Sequence, residues 1–323
     1  NMLPEPSPTS CEILLERYRN ARGASAGCSG DLLHFPGIDD RDVYNITAPF
    51  SWRGDTYLLG RVERRDSEHS DIWFFRRSGD AWEPLPDVPP FTGLQDPCIT
   101  CIDDELVLGG VRYPVNLPDG TQGWRMEFFR GHSPATLRHF FNGPDKMKDI
   151  RFKQLPDGRV AVFSRPQGLV GGRGKIGFAT ARGLDHLSIR LIEEAPLFSH
   201  FFLDSEWGGA NEVHLLANGH LGVLGHIACF DAQNHRHYYP MVFSVDPDTG
   251  AASELHIIAE RDDFPPGPSK RPDLVDVIFS GGVVRKPSGR AELYAGLSDA
   301  SASRREIADP FVRFEVPELH AVA

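Results

Sequence analysis

Charged side chains recur in this chain at the ends of short apolar segments. Arg61 and Glu63 follow the run at 57–60, Asp96 precedes the run at 98–102, and Lys148 and Asp149 precede 150–152. Arg165 follows 160–164, Glu206, Asn211 and Glu212 surround a Gly-Gly pair, His226 follows 221–225, and Asp276 and Asp299 bracket the last segments. Carboxylates interspersed with Arg, Lys and His suit acid–base work on a sugar. One carboxyl protonates the glycosidic oxygen while an anion or an activated nucleophile stands on the opposite face. Other acids read as turn formers without a chemical role: Asp103, Asp104, Asp119 and Asp157 sit in Asp/Gly-rich junctions.

Three stretches carry more than isolated charge. Asp96 lies in Leu94-Gln95-Asp96-Pro97, where an aspartate closing a loop before proline is the structural alternative. Met147-Lys148-Asp149-Ile150-Arg151 alternates, which puts Lys148 on one strand face and Asp149 with Arg151 on the other; a structural ion pair competes with a binding role. Trp207-Gly208-Gly209-Ala210-Asn211-Glu212 combines a sugar-stacking face with glycines that let backbone approach a ligand, although tight packing also explains the glycines. Cys98-Ile-Thr-Cys101 has redox or zinc spacing but no second pair, so it reads as buried structural cysteine. His214, His235 and His237 lack ligand spacing, and no metal is expected. Gly171-Gly172-Arg173-Gly174-Lys175 lacks the ending of a phosphate loop and reads as a surface or funnel loop.

What must position these residues is a repeat. Asn45, Asp96, Asp149, Asn211 and Gly281 each precede a tight turn and then an apolar strand, and they are 51, 53, 62 and 70 positions apart. Those lengths accommodate about four strands per unit. The expected fold is all-β, a five-bladed β-propeller with a short N-terminal helix, forming one domain over 1–323 with residues 1–30 packed on it. The helix is expected over 10–21, capped by Ser10, with Ile13, Leu14 and Tyr18 on one face. A β-sandwich is the rival, but it does not require polar residues at an equivalent place in five units.

Composition bounds the partners. The 323 residues carry 34 Lys plus Arg against 45 Asp plus Glu, net −11, which argues against nucleic acid. No run of 18 apolar residues occurs, so no membrane partner is expected. Five scattered cysteines do not form a disulfide framework; reduced thiols and a cytoplasmic location are expected. Homo-oligomerisation is left open.

At these motifs the chain resembles a bacterial family, the domain of unknown function numbered 1861. The resemblance runs from about Asp42 to Phe311 through Gly60-Arg61-Val62-Glu63, Leu94-Gln95-Asp96-Pro97, Met147 to Arg151, Arg165-Pro166-Gln167-Gly168, Glu206 to Glu212, Gly225-His226-Ile227 and Phe279 to Gly282. More distantly it resembles the mannoside phosphorylases and mannosidases of glycoside hydrolase family 130, through Asp96-Pro97, Lys148-Asp149 and Tyr294 to Asp299. The resemblance implies a sugar pocket at the mouth of a five-bladed propeller, with Asp96 in the place of the general acid. It also implies an inverting enzyme that cleaves a mannoside or related small oligosaccharide. Asn45, Arg61, Glu63, Lys148, Asp149, Asn211 and Asp299 are expected to bind substrate. Arg165 and His226 stand where phosphorylases hold inorganic phosphate, the one co-substrate foreseen; no cofactor is expected. Glu206 and Glu212 add carboxylates that would activate water, which tilts the expectation towards hydrolysis. A phosphorylase and a catalytically silent sugar-binding propeller are the alternatives.

Overall fold

The structure is a computed structural model that describes residues 7–23 and 30–316. Most of the segment expected to pack as 1–30 is thereby described, whereas Cys28 lies outside the described residues. Successive Gly- and Asp-containing turns at 53–54, 103–104, 157–158, 218–219 and 288–289 reverse the chain between apolar runs. The result is five antiparallel units in chain order. The first holds Asp42–Tyr44, Asp55–Glu63, Ser70–Ser78 and Ala81–Pro84. The second holds Leu94–Ile102, Glu105–Asn116, Gln122–Gly131 and Arg138–Asn142. Arg151–Gln154, Val160–Ser164 and Gly177–Ala181 make the third. Trp207–Leu215, Leu221–Phe230, Arg236–Val245 and His256–Ile257 make the fourth. Asp276–Arg285, Arg290–Leu297 and Ser301–Ala308 make the fifth, whose fourth strand is Asp31–Leu32 from the N-terminal region. The fourth and fifth units also share a two-residue parallel pairing, His237 with Asp276 and Tyr238 with Val277, which fuses them into one sheet.

The apolar side chains are not pooled in one core but divided among five clusters, each between two units. Leu59 and Phe74 meet Leu94 and Leu108; Ile102 and Phe128 meet Phe152 and Val160; Phe163 and Phe178 meet Val223 and Phe243. Leu224 and Val242 meet Ile278 and Leu293, and Tyr294 and Ala302 meet Leu58 and Phe75, so the fifth unit packs on the first. Strand alternation produces this division: neighbours Leu58 and Leu59, or Val223 and Leu224, point to opposite faces and serve opposite clusters.

The helix is Cys11–Arg22, and Ser10 Oγ accepts from Ile13 N at 3.2 Å as its cap. Its buried side is Cys11, Leu14, Leu15 and Tyr18, set against the fourth unit; Ile13, expected on that side, is 46% exposed. The spacing 11, 14, 15, 18 is the tighter helical stripe, and Ile13 falls outside it.

The five marker residues occupy one structural position. Asn45, Asp96 and Asp149 have left-handed backbone, φ 46°, 51° and 55°, and Asp96, Asn211 and Gly281 fall in register breaks of their first strands. Asn and Asp tolerate the left-handed region because their short polar side chains bond locally. The register breaks turn these side chains out of the ladder.

Candidate functional site

In an antiparallel unit, the start of the first strand, the end of the second and the start of the third lie at the same end. The residues lining a cavity of about 470 Å³ come from those places. Asp96, Asp149, Trp207 and Phe279 lie at or near first-strand starts, and Asn45 directly follows Asp42–Tyr44; Arg61, Arg165, Phe230 and Asp299 lie at or just past second-strand ends; Trp124 and Tyr238 lie at third-strand starts.

One side of the cavity is built around Asp96, whose Oδ1 accepts from Asn45 Nδ2 at 2.8 Å and from Arg61 Nη1 at 3.1 Å. Arg61 is held in turn: its Nε donates to Ser70 Oγ at 2.9 Å, its Nη2 lies 3.3 Å from Glu63 Oε2, and its guanidinium covers the Tyr44 ring. Glu63 is 2% exposed and is bound by Tyr44, by Ser70 at 2.7 Å and by Lys270 at 2.9 Å. Burial lifts its carboxyl to about 7, against the pull of Lys270 and Ser70. Glu63, expected to bind substrate, instead orients Arg61 from behind. Burial also works against ionisation of Asp96, but Arg61 and Lys148 outweigh it and hold this carboxyl below the ordinary value.

Asp149, Arg165 and His226 form the other side. Asp149 Oδ2 lies 3.8 Å from Arg165 Nη2 and 3.7 Å from His226 Nε2, and its Oδ1 lies 3.8 Å from Arg151. Gly209 creates the room, since a Cβ there would stand 2.7 Å from Asp149 Oδ2. His226 Nδ1 pairs with Asn211 Oδ1 at 2.8 Å, and burial pushes the imidazole down to about 4, so it is neutral near pH 7. With Nδ1 donating, Nε2 is an acceptor beside Asp149. Asn211, expected to touch substrate, lies behind His226 and positions it. Arg165 Nε is buried without a hydrogen-bond partner. Lys148, half-buried, lies 5.4 Å from the Trp124 ring centre, and burial followed by Arg61 and Arg165 brings its pKa down.

Asp299, with φ 51°, lines the same cavity, and burial followed by the charge of Asp96 raises its carboxyl. The two acids are therefore pushed apart, Asp96 towards the anion and Asp299 towards the neutral form. Aromatic faces complete the wall. Tyr238 stacks on His226 with centroids 5.5 Å apart and accepts from Trp207 Nε1 at 3.2 Å, while Arg173 and Arg236 each cover Phe230 at 5.3 Å. Arg173 places the glycine-rich loop at the cavity, as a funnel loop. Six Lys and Arg line the cavity against four Asp and Glu, the reverse of the chain's net −11.

The two expected bases are elsewhere. Glu206 Oε2 accepts from Cys11 N at 2.7 Å and its Oε1 from Leu203 N at 3.1 Å. It caps the N-terminal helix from 195 residues away, where the free N–H groups and the dipole favour an anion. Glu212 points to the other end of its strand, where it binds His214 and accepts from Val283 N at 2.9 Å. Asp276 is bound to His237 at 2.6 Å and Tyr239 at 2.9 Å. Cys98 and Cys101 are not both buried: Cys98 is half-buried and Cys101 exposed. Trp124, Tyr238, Phe230, Arg236 and Arg271 were missed by sequence reasoning. Position at a strand's mouth end is the signal that finds the first four.

The solved structures most informative for this site are of two kinds. A mannose phosphorylase from Leishmania mexicana, MPT-4, in complex with phosphate ion is 34% identical, with TM-score 0.83, covering 95% of this chain and 97% of that one. MPT-1, a GDP-Man-dependent mannosyltransferase from the same organism, is 31% identical with TM-score 0.82, covering 95% and 96%. A β-1,2-mannobiose phosphorylase from Listeria innocua shares the fold at 14% identity and TM-score 0.61, over 87% and 94%. No curated protein matches the chain. Residues 21–313 match the family model described as protein of unknown function, DUF1861, and the chain belongs to that family.

Proposed function

We propose that this protein is a mannoside phosphorylase: it transfers a mannosyl group between a small oligosaccharide and inorganic phosphate, at the cavity between Asp96 and Arg165. Activity on glycosides is supported by the similarity to the mannose phosphorylase and the mannosyltransferase at more than 30% identity. The observation that carries phosphorolysis is the cationic wall. Arg165 offers an unpartnered buried Nε, Lys148 stands beside it, and the two glutamates that favoured water activation are bound elsewhere as structural groups. We further infer that the five units close as a five-bladed propeller, an inference supported by the five inter-unit clusters and by the packing of the fifth unit on the first.

In this reading the mannosyl ring lies against the Trp207–Tyr238 wall, and Asp299 hydrogen-bonds a ring hydroxyl. Phosphate seated on Arg165 and Lys148 with His226 Nε2 accepting a phosphate hydroxyl offsets the positive charge that keeps Asp96 ionised. The carboxyl of Asp96 then regains a proton, which it delivers to the leaving oxygen as phosphate oxygen bonds to the anomeric carbon and the glycosidic C–O bond breaks. Acid and nucleophile arrive together. Arg61 and Asn45 fix Asp96 through one oxygen and leave the other for the leaving group.

Steady-state kinetics against phosphate test this. Replacing Arg165 by Gln removes a charge-assisted contact of ~1.5–3 kcal/mol, so the phosphate KM rises about 10- to 100-fold. An unchanged phosphate KM in a folded variant would overturn the assignment.

A further inference from the structure

A second cavity of about 180 Å³ lies at the opposite ends of the first strands and shares no lining residue with the first. Its polar lining is Arg151, Lys153, Asn211, Glu212, His214 and Thr100, with the thiols of Cys98 and Cys101. We propose that this cavity is a binding site for a small oxyanion of the phosphate class, separate from the phosphate of the reaction.

The hydrogen-bonding capacity of this lining is unbalanced. Glu212, the one carboxylate in the lining, is already engaged by His214 and by Val283 N. What remains open is donor capacity. Asn211 is 5% exposed and its Nδ2 has no partner. Lys153 makes no hydrogen bond or ion pair with a described residue, and Arg151, also 5% exposed, adds a second positive charge, its Nε and Nη1 already donating to Asn211 O and Ile150 O. A buried donor without an acceptor is costly, and a ligand made of acceptors relieves it. The volume equals about six waters at ~30 Å³ each, enough for a small anion with some hydration and too small for an oligosaccharide. Phe128, Phe152 and Val213 close the rest of the cavity with apolar surface, which strengthens charge interactions inside.

The partition between the cavities is made of residues that serve both. Asn211 lines the second cavity and accepts from His226 of the first through Oδ1. Arg151 lines the second and lies 3.8 Å from Asp149 of the first. An anion here therefore sits one contact behind the candidate phosphate seat.

Cys101, exposed and in the lining, reports occupancy directly. The experiment is the rate of Cys101 alkylation by iodoacetamide, read by peptide mass spectrometry, in phosphate and in chloride of equal ionic strength. At phosphate ten times its half-saturating concentration, the rate falls about tenfold, following the unoccupied fraction. Arg165→Gln keeps this protection and Lys153→Gln removes it. Equal rates in phosphate and chloride for the unaltered protein overturn the proposal, and that comparison requires no variant to fold. Protection that disappears in Arg165→Gln also overturns it, because the anion would then be the one bound in the first cavity. Loss of phosphorolysis with protection retained counts against the earlier functional reading alone.

Discussion

Asp96 and Glu63 show how one functional group, a carboxyl, takes opposite roles on either side of Arg61. Asp96 is anchored by Asn45 and Arg61 and has a free oxygen at the cavity, whereas Glu63 is enclosed by Tyr44, Ser70, Arg61 and Lys270. Asp96→Asn retains shape but cannot deliver a proton, so turnover on an unactivated mannoside falls about 10²- to 10⁴-fold. An aryl mannoside with a good leaving group is affected less, and parallel rates on the two substrates check this; equal small losses would remove Asp96 from the proton path. Glu63 makes a pH prediction. Its carboxyl is raised from 4.5 to about 7 on folding, so between these values the folded chain holds a proton that the unfolded chain releases. Its contribution to stability is full below about 4.5 and is lost as pH rises through about 7. Glu63→Gln should flatten that slope in denaturant titrations at pH 5, 6, 7 and 8; an unchanged slope would show that Glu63 is ionised when folded.

At the scale of elements, glycines in the fourth unit separate function from packing. A Cβ at Gly209 meets the carboxylate of Asp149 and would push it from its place between Arg165 and His226. A Cβ at Gly225 meets the backbone carbonyl of Gly209, which cannot rotate away. Gly209→Ala should therefore lower activity at least tenfold with a small change in Tm, and Gly225→Ala should lower Tm by several degrees, corresponding to ~1–3 kcal/mol of overpacking. Melting curves alongside specific activity distinguish the two, and identical behaviour would contradict the geometry. The repeat itself was legible because turns and marker residues are local: Pro156-Asp157-Gly158 and Ala217-Asn218-Gly219 reverse the chain where their composition says. The side-chain environment was not local. Glu206 stands one residue before Trp207, which lines the cavity, yet its carboxylate turns to the helix start at Cys11, a contact across 195 residues that spacing cannot reveal. Glu212 lies on the far side of the register break at Asn211, where its carboxylate meets His214 and Val283 N instead of the cavity. Tyr238 and Trp124 escape the sequence pattern because the repeat marks only first and second strands, although third strands begin at the same mouth.

Across the whole molecule, an acidic chain gathers six Lys and Arg around one cavity, and these cations come from four of the five units: Arg61 from the first, Lys148, Arg165 and Arg173 from the third, Arg236 from the fourth and Arg271 from the approach to the fifth, spanning more than two hundred positions. Such a gathering follows from the packing of neighbouring units, since the apolar clusters between them fix where each strand end meets the others. Positive lining in a partly desolvated cavity attracts an anionic co-substrate more strongly than exposed charge would. Phosphorolysis and hydrolysis leave different products from the same sugar. The decisive measurement is product release from a mannobiose by the unaltered protein across a phosphate series, with mannose 1-phosphate followed by ³¹P NMR and free mannose by chromatography. The account predicts sugar phosphate formed at a rate that saturates with phosphate, one released sugar per phosphate consumed, and no cleavage without phosphate; two free sugars released at a rate indifferent to phosphate would contradict it.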